Sequence, residues 1–268
     1  MRDEVNVAKD VNEAKDQSAG GAAFFDIDGT LLAKPSLERR FFMNLCRQGK
    51  IPARNCFAWI AEAFRLGLQD MRAALHENKT YLRGVIAKVF SEQAGNGRRT
   101  LAGKMVPEFF PAAVQRVWWH ALRGDSIVLV SGTLEPLAEI VKYALERELL
   151  WRGVETEILV LATRLEICEG RCTGRVAGAA MFGEAKAFAI KEFAHAQNIS
   201  LTQCSAYGDS SLDRWMLAGV GHPFAVNSTS RLRRIARLRG WQMLEWTHCP
   251  VRTAGEQRAL KFKDEAAR

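Results

Sequence analysis

The segment Ala22–Phe25 reads AAFF, apolar at every position, and runs directly into Asp26. A strand with one wet face alternates apolar and polar residues. A strand that is apolar throughout is covered on both faces, as in a parallel sheet sandwiched by helices. Similar runs recur at 127–130, 158–162, 204–207 and 224–226, and helical periodicity separates the later ones over 135–149, 184–197 and 228–239. Strand and helix in alternation predict an α/β fold built on a doubly wound parallel sheet. At 268 residues the chain has room for one such core with a smaller inserted domain.

Two stretches break the alternation. Residues 33–123 contain no buried-strand run and read as helices over 36–48, 52–66, 70–75, 79–90 and 111–123. Leu37, Phe41 and Leu45, then Phe57, Ile60, Ala61 and Phe64, fall at helical spacing. This predicts a helical cap whose aromatic residues, Phe41, Phe42, Phe57, Trp59 and Phe64, form its own core. The α/β core then comprises 21–32 and 124–246. Within it, RLEICEGRCTGRV at 164–176 places Glu169-Gly170 between two alternating stretches, which predicts a β-hairpin. Residues 1–20, with five acids, three bases and no apolar core, read as a disordered tail, and 247–268 as a basic C-terminal tail.

Four polar sites fall at strand ends or helix starts, on the edge where open α/β sheets bind ligands. Asp26 and Asp28, in DIDGT, project to the same side of a strand end, where their repulsion calls for a cation or a shared proton. One can serve as nucleophile and Mg²⁺ ligand, the other as acid and then base. Ser131-Gly132-Thr133 offers a hydroxyl and backbone N–H groups to an anion at a helix start, where plain capping is the alternative. Lys186 lies in a first helical turn, against the helix dipole, a position that suits a lysine facing phosphate or carboxylates. Asp209 in GDSSLD can complete an oxygen-ligand site, with Asp213 supporting it from the next turn. Together these residues supply the groups that phosphoryl transfer needs.

DIDGT, SGT, the lysine and GDSSLD, in that order, resemble the haloacid dehalogenase superfamily. The text from SGTLEPLAEIV to RLRRIARLRGWQML is similar to its subfamily IB, the phosphoserine-phosphatase-like group. The resemblance covers 22–244 and implies a Rossmann-like core with a C1-type cap. It further implies a Mg²⁺-dependent phosphomonoesterase that works through an aspartyl-phosphate on a small-molecule ester, phosphoserine-like esters among them. Asp26 would then be the nucleophile and Asp28 the acid and base. Asp26, the Asp28 backbone carbonyl and Asp209 would hold Mg²⁺, with Asp213 in support. Ser131, the Gly132 amide and Lys186 would bind the phosphoryl group. Phosphoserine phosphatases carry a cap glutamate that grips the serine amine; here Glu38 falls later than that pattern expects. Arg83 is the expected cap residue facing the substrate.

A phosphotransferase or a lipid-phosphate phosphatase would use the same chemistry. A phosphate-ligand binding protein without turnover is the non-enzymatic alternative. Other phosphate chemistries lack their motifs: no cysteine is followed by Arg in CxxxxxR spacing, and Glu184-Ala185 replaces the Lys-Ser/Thr pair after the glycines at 178 and 183. The net charge of +8, from 38 bases and 30 acids, is concentrated near the C-terminus, but no nucleic-acid motif accompanies it, so no nucleic-acid partner is expected. No apolar run is long enough to span a membrane. The six cysteines have no framework spacing and read as reduced thiols, although Cys168 and Cys172 could form a hairpin disulfide or half a zinc site. With no export signal, a cytoplasmic location is expected. The oligomeric state is left open.

Overall fold

The computed structural model describes residues 20–68, 76–93 and 107–247. The expected N-terminal tail up to residue 19, the expected helix over 70–75 and the basic tail beyond 247 lie outside the described residues.

Six strands form one sheet: β1 (Ala22–Phe25), β2 (Ser126–Leu134), β3 (Ile158–Thr163), β6 (Ser205–Gly208), β7 (His222–Val226) and β8 (Gln242–Leu244). Their order is β3-β2-β1-β6-β7-β8, and every neighbouring pair is parallel. The chain leaves the middle strand, β1, first toward β2 and later toward β6. The crevice at this reversal opens beyond the carboxyl end of β1.

The AAFF run is apolar throughout because both faces are covered. Ala23 and Phe25 enter one buried cluster; Ala22 and Phe24 enter the other. Each fully buried phenylalanine contributes roughly 1.5–3 kcal/mol. On the Phe25 side lie α4 (Pro111–Leu122), with Val114 and Val117, and α5 (Glu135–Trp151), with Leu137, Val141 and Leu145. On the Phe24 side lie α6 (Glu184–Ala196), α7 (Arg214–Ala218) and α8 (Ser230–Arg239), through Ile190, Met216, Leu217 and Leu232. The strand β8 was not anticipated; at three residues it carries little pattern. The strand β2 runs four residues past Val130, so Ser131-Gly132-Thr133 belongs to its irregular end.

The expected hairpin is present as β4 (Leu165–Cys168) paired antiparallel with β5 (Arg171–Val176). Cys168 and Cys172 are free thiols. The expected helix over 79–90 is not continuous. After a 3₁₀ turn at Thr80–Leu82, Gly84 takes a φ of +74°, which ends helical geometry. The next residues pair with the hairpin: Gly84 N donates to Cys172 O (2.8 Å), Cys172 N to Val85 O (2.9 Å) and Ala87 N to Gly170 O (2.8 Å). Only then does α3 (Lys88–Gln93) begin.

The cap helices α1 (Leu37–Arg47) and α2 (Ala53–Gly67) follow the predicted spans closely. Their aromatic residues divide. Phe41 stacks on Phe90 inside the core, and Phe42, Trp59 and Tyr81 pack against one another. Phe57 and Phe64 instead stand 74% and 72% exposed, with Ile60 between them. The reason is the way α2 docks. Asn55 Nδ2 donates to Tyr81 O (3.2 Å) and Arg83 O (2.7 Å), so the Asn55–Trp59 side turns inward and the Phe57–Phe64 side outward.

Beneath the sheet, His120 of α4 bridges two elements. Nδ1 lies 2.7 Å from Asp125 Oδ2 and Nε2 lies 2.8 Å from the Tyr207 hydroxyl. A neutral ring with its proton on Nδ1 donates to Asp125 and accepts from Tyr207. Burial lowers the His120 pKa below its ordinary value, against the opposing pull of Asp125. The unfolded chain therefore takes up this proton first on acidification. The stabilisation is complete above the unfolded value of about 6.5 and is lost as pH falls toward the folded one. We expect the urea midpoint to drop between about pH 7 and pH 5. Tyr207→Phe, which leaves Nε2 without its donor, should cost roughly 1–3 kcal/mol at neutral pH in the same measurement.

Candidate active site

Asp26 follows the last residue of β1, and its backbone N–H continues the sheet by donating to Tyr207 O (3.0 Å). The chain then turns sharply, with the amides of Leu31 and Leu32 both donating to Ile27 O. Gly29 makes this turn feasible. Its φ is +96°, and a Cβ there would lie 2.4 Å from Asp209 Oδ2. Only glycine lets the DIDGT loop approach the end of β6 so closely.

Lys186, in the first turn of α6, reaches into this corner and is 4% exposed. Its ammonium donates to Asp26 Oδ1 and to Asp213 Oδ1, both at 2.6 Å. Asp213 Oδ2 accepts from the Ser210 amide (3.0 Å) and hydroxyl (2.7 Å). The remaining oxygen of Asp26 accepts from Thr30 Oγ1 at 3.3 Å. Burial raises the Asp26 pKa well above the ordinary carboxylate range; Lys186 opposes that shift, while Asp213 and Asp209 add to it. Burial also acts against the charge on Lys186, but Asp213 and Asp26 outweigh it and hold the lysine protonated. The charge that opposes the helix dipole is thus retained by two carboxylates.

Asp28 is set apart from this cluster. Its Oδ1 accepts from the Leu37 amide (2.7 Å), the first residue of α1. Burial lifts its pKa to about 6, against the lowering effect of that hydrogen bond. Of the two DIDGT carboxylates, one is therefore held by a lysine and the other is poised to exchange a proton near neutral pH.

Ser131, Gly132 and Thr133 line the same cavity, of about 810 Å³, as Asp26, Asp28, Lys186, Asp209 and Asp213. Thr133 N donates to Ser131 Oγ (3.2 Å), and the Thr133 hydroxyl is buried with no hydrogen-bond partner. Neither side chain caps α5. A buried hydroxyl without a partner, at a cavity wall, is a donor waiting for an acceptor. Of the expected site residues only Arg83 stands elsewhere. The turn at Gly84 carries it to a separate depression beside Glu62, Arg65 and Arg175, with Nε 3.5 Å from Thr173 O.

Four side chains at this cavity, Thr133, Lys34, Lys79 and Tyr81, went without an assigned role from sequence. Thr133 completes the SGT triplet. Lys34 Nζ lies 2.8 Å from Asp209 Oδ2. On the cap side, Glu38 is joined by Lys79 and Tyr81. The DIDGT–SGT order marks the neighbourhood of the first two, but no local pattern links residue 38 to residue 79.

The donor set suits a hard divalent cation. Carboxylate oxygens of Asp26, Asp209 and Asp213 all lie within 4.8 Å of one another. Asp209 Oδ2 is buried and makes no well-directed hydrogen bond, despite its charge contact with Lys34. Burial, countered by Lys34, raises the Asp209 pKa. Clustered, desolvated carboxylates with an oxygen to spare favour Mg²⁺-like ligation.

A model of the haloacid dehalogenase-like hydrolase family matches residues 23–218. The chain is 32% identical to the inhibition of morphological differentiation protein of Streptomyces azureus, over 86% of this chain and 80% of that one. It is also 32% identical to a probable phosphatase of Mycobacterium tuberculosis, over 84% and 75% of the two chains. A phosphoserine phosphatase of the same organism is 27% identical over 84% and 70%. Among solved structures, a protein of unknown function from Bordetella pertussis Tohama I shares the fold with a TM-score of 0.60 and 24% identity, covering 85% of this chain and 99% of that one. A phospho-aspartyl intermediate analogue of phosphoserine phosphatase aligns with a TM-score of 0.54 and 18% identity, over 91% and 99%. The chain belongs to the haloacid dehalogenase-like hydrolase family.

Lys186→Met would leave Asp26 and Asp213 buried without their cation. We expect a loss of about 3–5 kcal/mol in urea unfolding with chelator present. The loss should shrink as pH falls, because protonation neutralises the stranded carboxylates.

Proposed function

We propose that this haloacid dehalogenase-like hydrolase is a Mg²⁺-dependent phosphomonoesterase that acts on small phosphate esters through an aspartyl-phosphate on Asp26. The observation that carries the reading is the division of labour between the two DIDGT carboxylates. Asp26 is pinned by Lys186 at the cavity floor, and Asp28 sits nearby with its pKa at about 6. The phosphatase names of two relatives support it.

In the first step an Asp26 oxygen attacks phosphorus and the ester P–O bond breaks. Asp28, protonated, gives its proton to the leaving alkoxide. In the second step Asp28, now a carboxylate, takes a proton from water as the water oxygen attacks phosphorus. The bond to Asp26 breaks, and inorganic phosphate leaves. A pKa near operating pH suits a group that must act in both senses. Lys186, Ser131, the Gly132 amide and the unpartnered Thr133 hydroxyl supply a cation and donors for the phosphoryl oxygens. Mg²⁺, held by Asp26, the Asp28 carbonyl and Asp209, would neutralise phosphoryl charge. Asp213 anchors Lys186 and Ser210.

A lipid phosphate is a second reading, favoured by the exposed Phe57, Ile60 and Phe64 on α2. Lysophosphatidate turned over in preference to water-soluble esters would support it.

Phosphate release from a panel of monoesters, with Mg²⁺ or with chelator, tests the chemistry. Asp26→Asn should release none while keeping the wild-type circular dichroism. Asp28→Asn should slow turnover about 10²–10⁴-fold and let an acid-stable phosphorylated chain accumulate. Wild-type release by Asp26→Asn would overturn the mechanism.

A further inference from the structure

We infer that the cap side of the cavity selects phosphate esters whose alcohol carries a carboxylate or hydroxyl and no amine; this rests on the phosphomonoesterase reading above. A substrate ammonium in a partly buried pocket is held most strongly by an acceptor of negative charge. The carboxylates lining the cavity are Asp26, Asp28, Asp209 and Asp213 at the phosphoryl end and Glu38 on the cap side. Among the described residues only Glu38 is placed to meet an amine on the alcohol.

Glu38 is already taken. Its Oε1 accepts from Lys79 Nζ (2.6 Å) and from the Tyr81 hydroxyl (2.7 Å), and its Oε2 accepts from Lys79 Nζ (2.9 Å). Lys79 and Tyr81 are each only 4% exposed, so this is a fixed part of the wall. The turn that carries Lys79 is pinned as well. Asn78 Nδ2 donates to Trp59 O (2.9 Å), and Asn78 Oδ1 accepts from the Thr80 amide (3.1 Å). An incoming ammonium would have to compete with a buried lysine for its counter-ion, and would leave that lysine unpaired if it won.

The other described groups on this side add no negative charge. Phe42, Trp59 and Phe182 are apolar, and His76 stacks on Phe182 at 4.1 Å between ring centroids. Burial and the nearby Lys79 lower the His76 pKa, which favours the uncharged ring. Arg39 of α1 also lines the cavity, and among the described residues no acid pairs with it. Among the described residues the cap side therefore sums to one positive charge: Lys79 cancels Glu38, Lys34 is paired with Asp209, and Arg39 remains. An ammonium has three donors, and Lys79 directs two hydrogen bonds to Glu38. A hydroxyl or carboxylate on the substrate matches both this remaining donor and the Arg39 guanidinium.

A matched pair of esters isolates the inference. O-phospho-L-serine and 3-phosphoglycerate share a carboxylate and differ at one carbon, which bears an ammonium in the first and a hydroxyl in the second. For the wild-type enzyme kcat/KM should favour 3-phosphoglycerate by about tenfold or more. Calorimetric binding to Asp26→Asn should show the same preference in Kd, whether or not the wild type turns over. Lys79→Met, which frees Glu38, should shift the ratio toward phosphoserine by about tenfold. Should that variant fail to fold, Arg39→Gln, a change at an exposed position, gives a second test: removing the uncancelled cap charge should shrink the preference for 3-phosphoglycerate. Phosphoserine matching or exceeding 3-phosphoglycerate, in turnover or in binding, overturns the inference. Absence of phosphate release from every ester, p-nitrophenyl phosphate included, would instead count against the hydrolase reading, with the binding preference still deciding this one.

Discussion

A single ammonium organises the reactive corner of this protein. Lys186 is bonded to Asp26 from the end of β1 and to Asp213 from the start of α7. Three carboxylates converge there because the sheet brings β1 and β6 side by side, with Gly29 and Asp209 in contact distance. Without a cation such a cluster would be too costly to bury. The fold places one at the outset, on the first turn of a helix that packs on the Phe24 face of the sheet through Ile190. Electrostatic repulsion built into the site is thus offset by tertiary structure.

The second carboxylate is governed by the cap. Asp28 accepts the Leu37 amide at the start of α1, so the DIDGT carboxyl whose pKa is lifted toward neutrality is also the point at which the inserted helices join the sheet. Burial by that same junction lifts its pKa to about 6. The cap therefore does more than shape the entrance. It sets the dielectric surroundings of the acid beneath it, while Phe42, Trp59 and the Glu38–Lys79 pair face the space where an alcohol would lie.

The sheet was legible because full burial leaves an unmistakable pattern: AAFF and IVLV have no polar position to spare. The polar residues that follow those runs were legible as a site because strand ends at a chain reversal converge. What escaped detection had other causes. Three-residue β8 is too short to carry periodicity. The stretch 79–90 carries helical spacing, but tertiary pairing with the hairpin and the positive φ of Gly84 override it. Phe57 and Phe64 mark an amphipathic helix without saying which face is inward, and the Asn55 amide decided that by bonding two carbonyls. The Glu38–Lys79–Tyr81 contact joins residues about forty positions apart, so no local pattern announces it.

The pairing of 84–87 with β4 and β5 has a bearing on how such a cap is inherited. Three backbone hydrogen bonds bind a segment of the insertion to a hairpin that arises, in sequence, from the far side of two core strands and three helices. Backbone bonds do not depend on side-chain identity, so the two pieces can diverge in sequence while staying matched in register and length. The exchangeable unit is therefore discontinuous. A new cap moved onto this core would have to bring its own hairpin, and a change in hairpin length would be felt as a shift of the cap above the pocket.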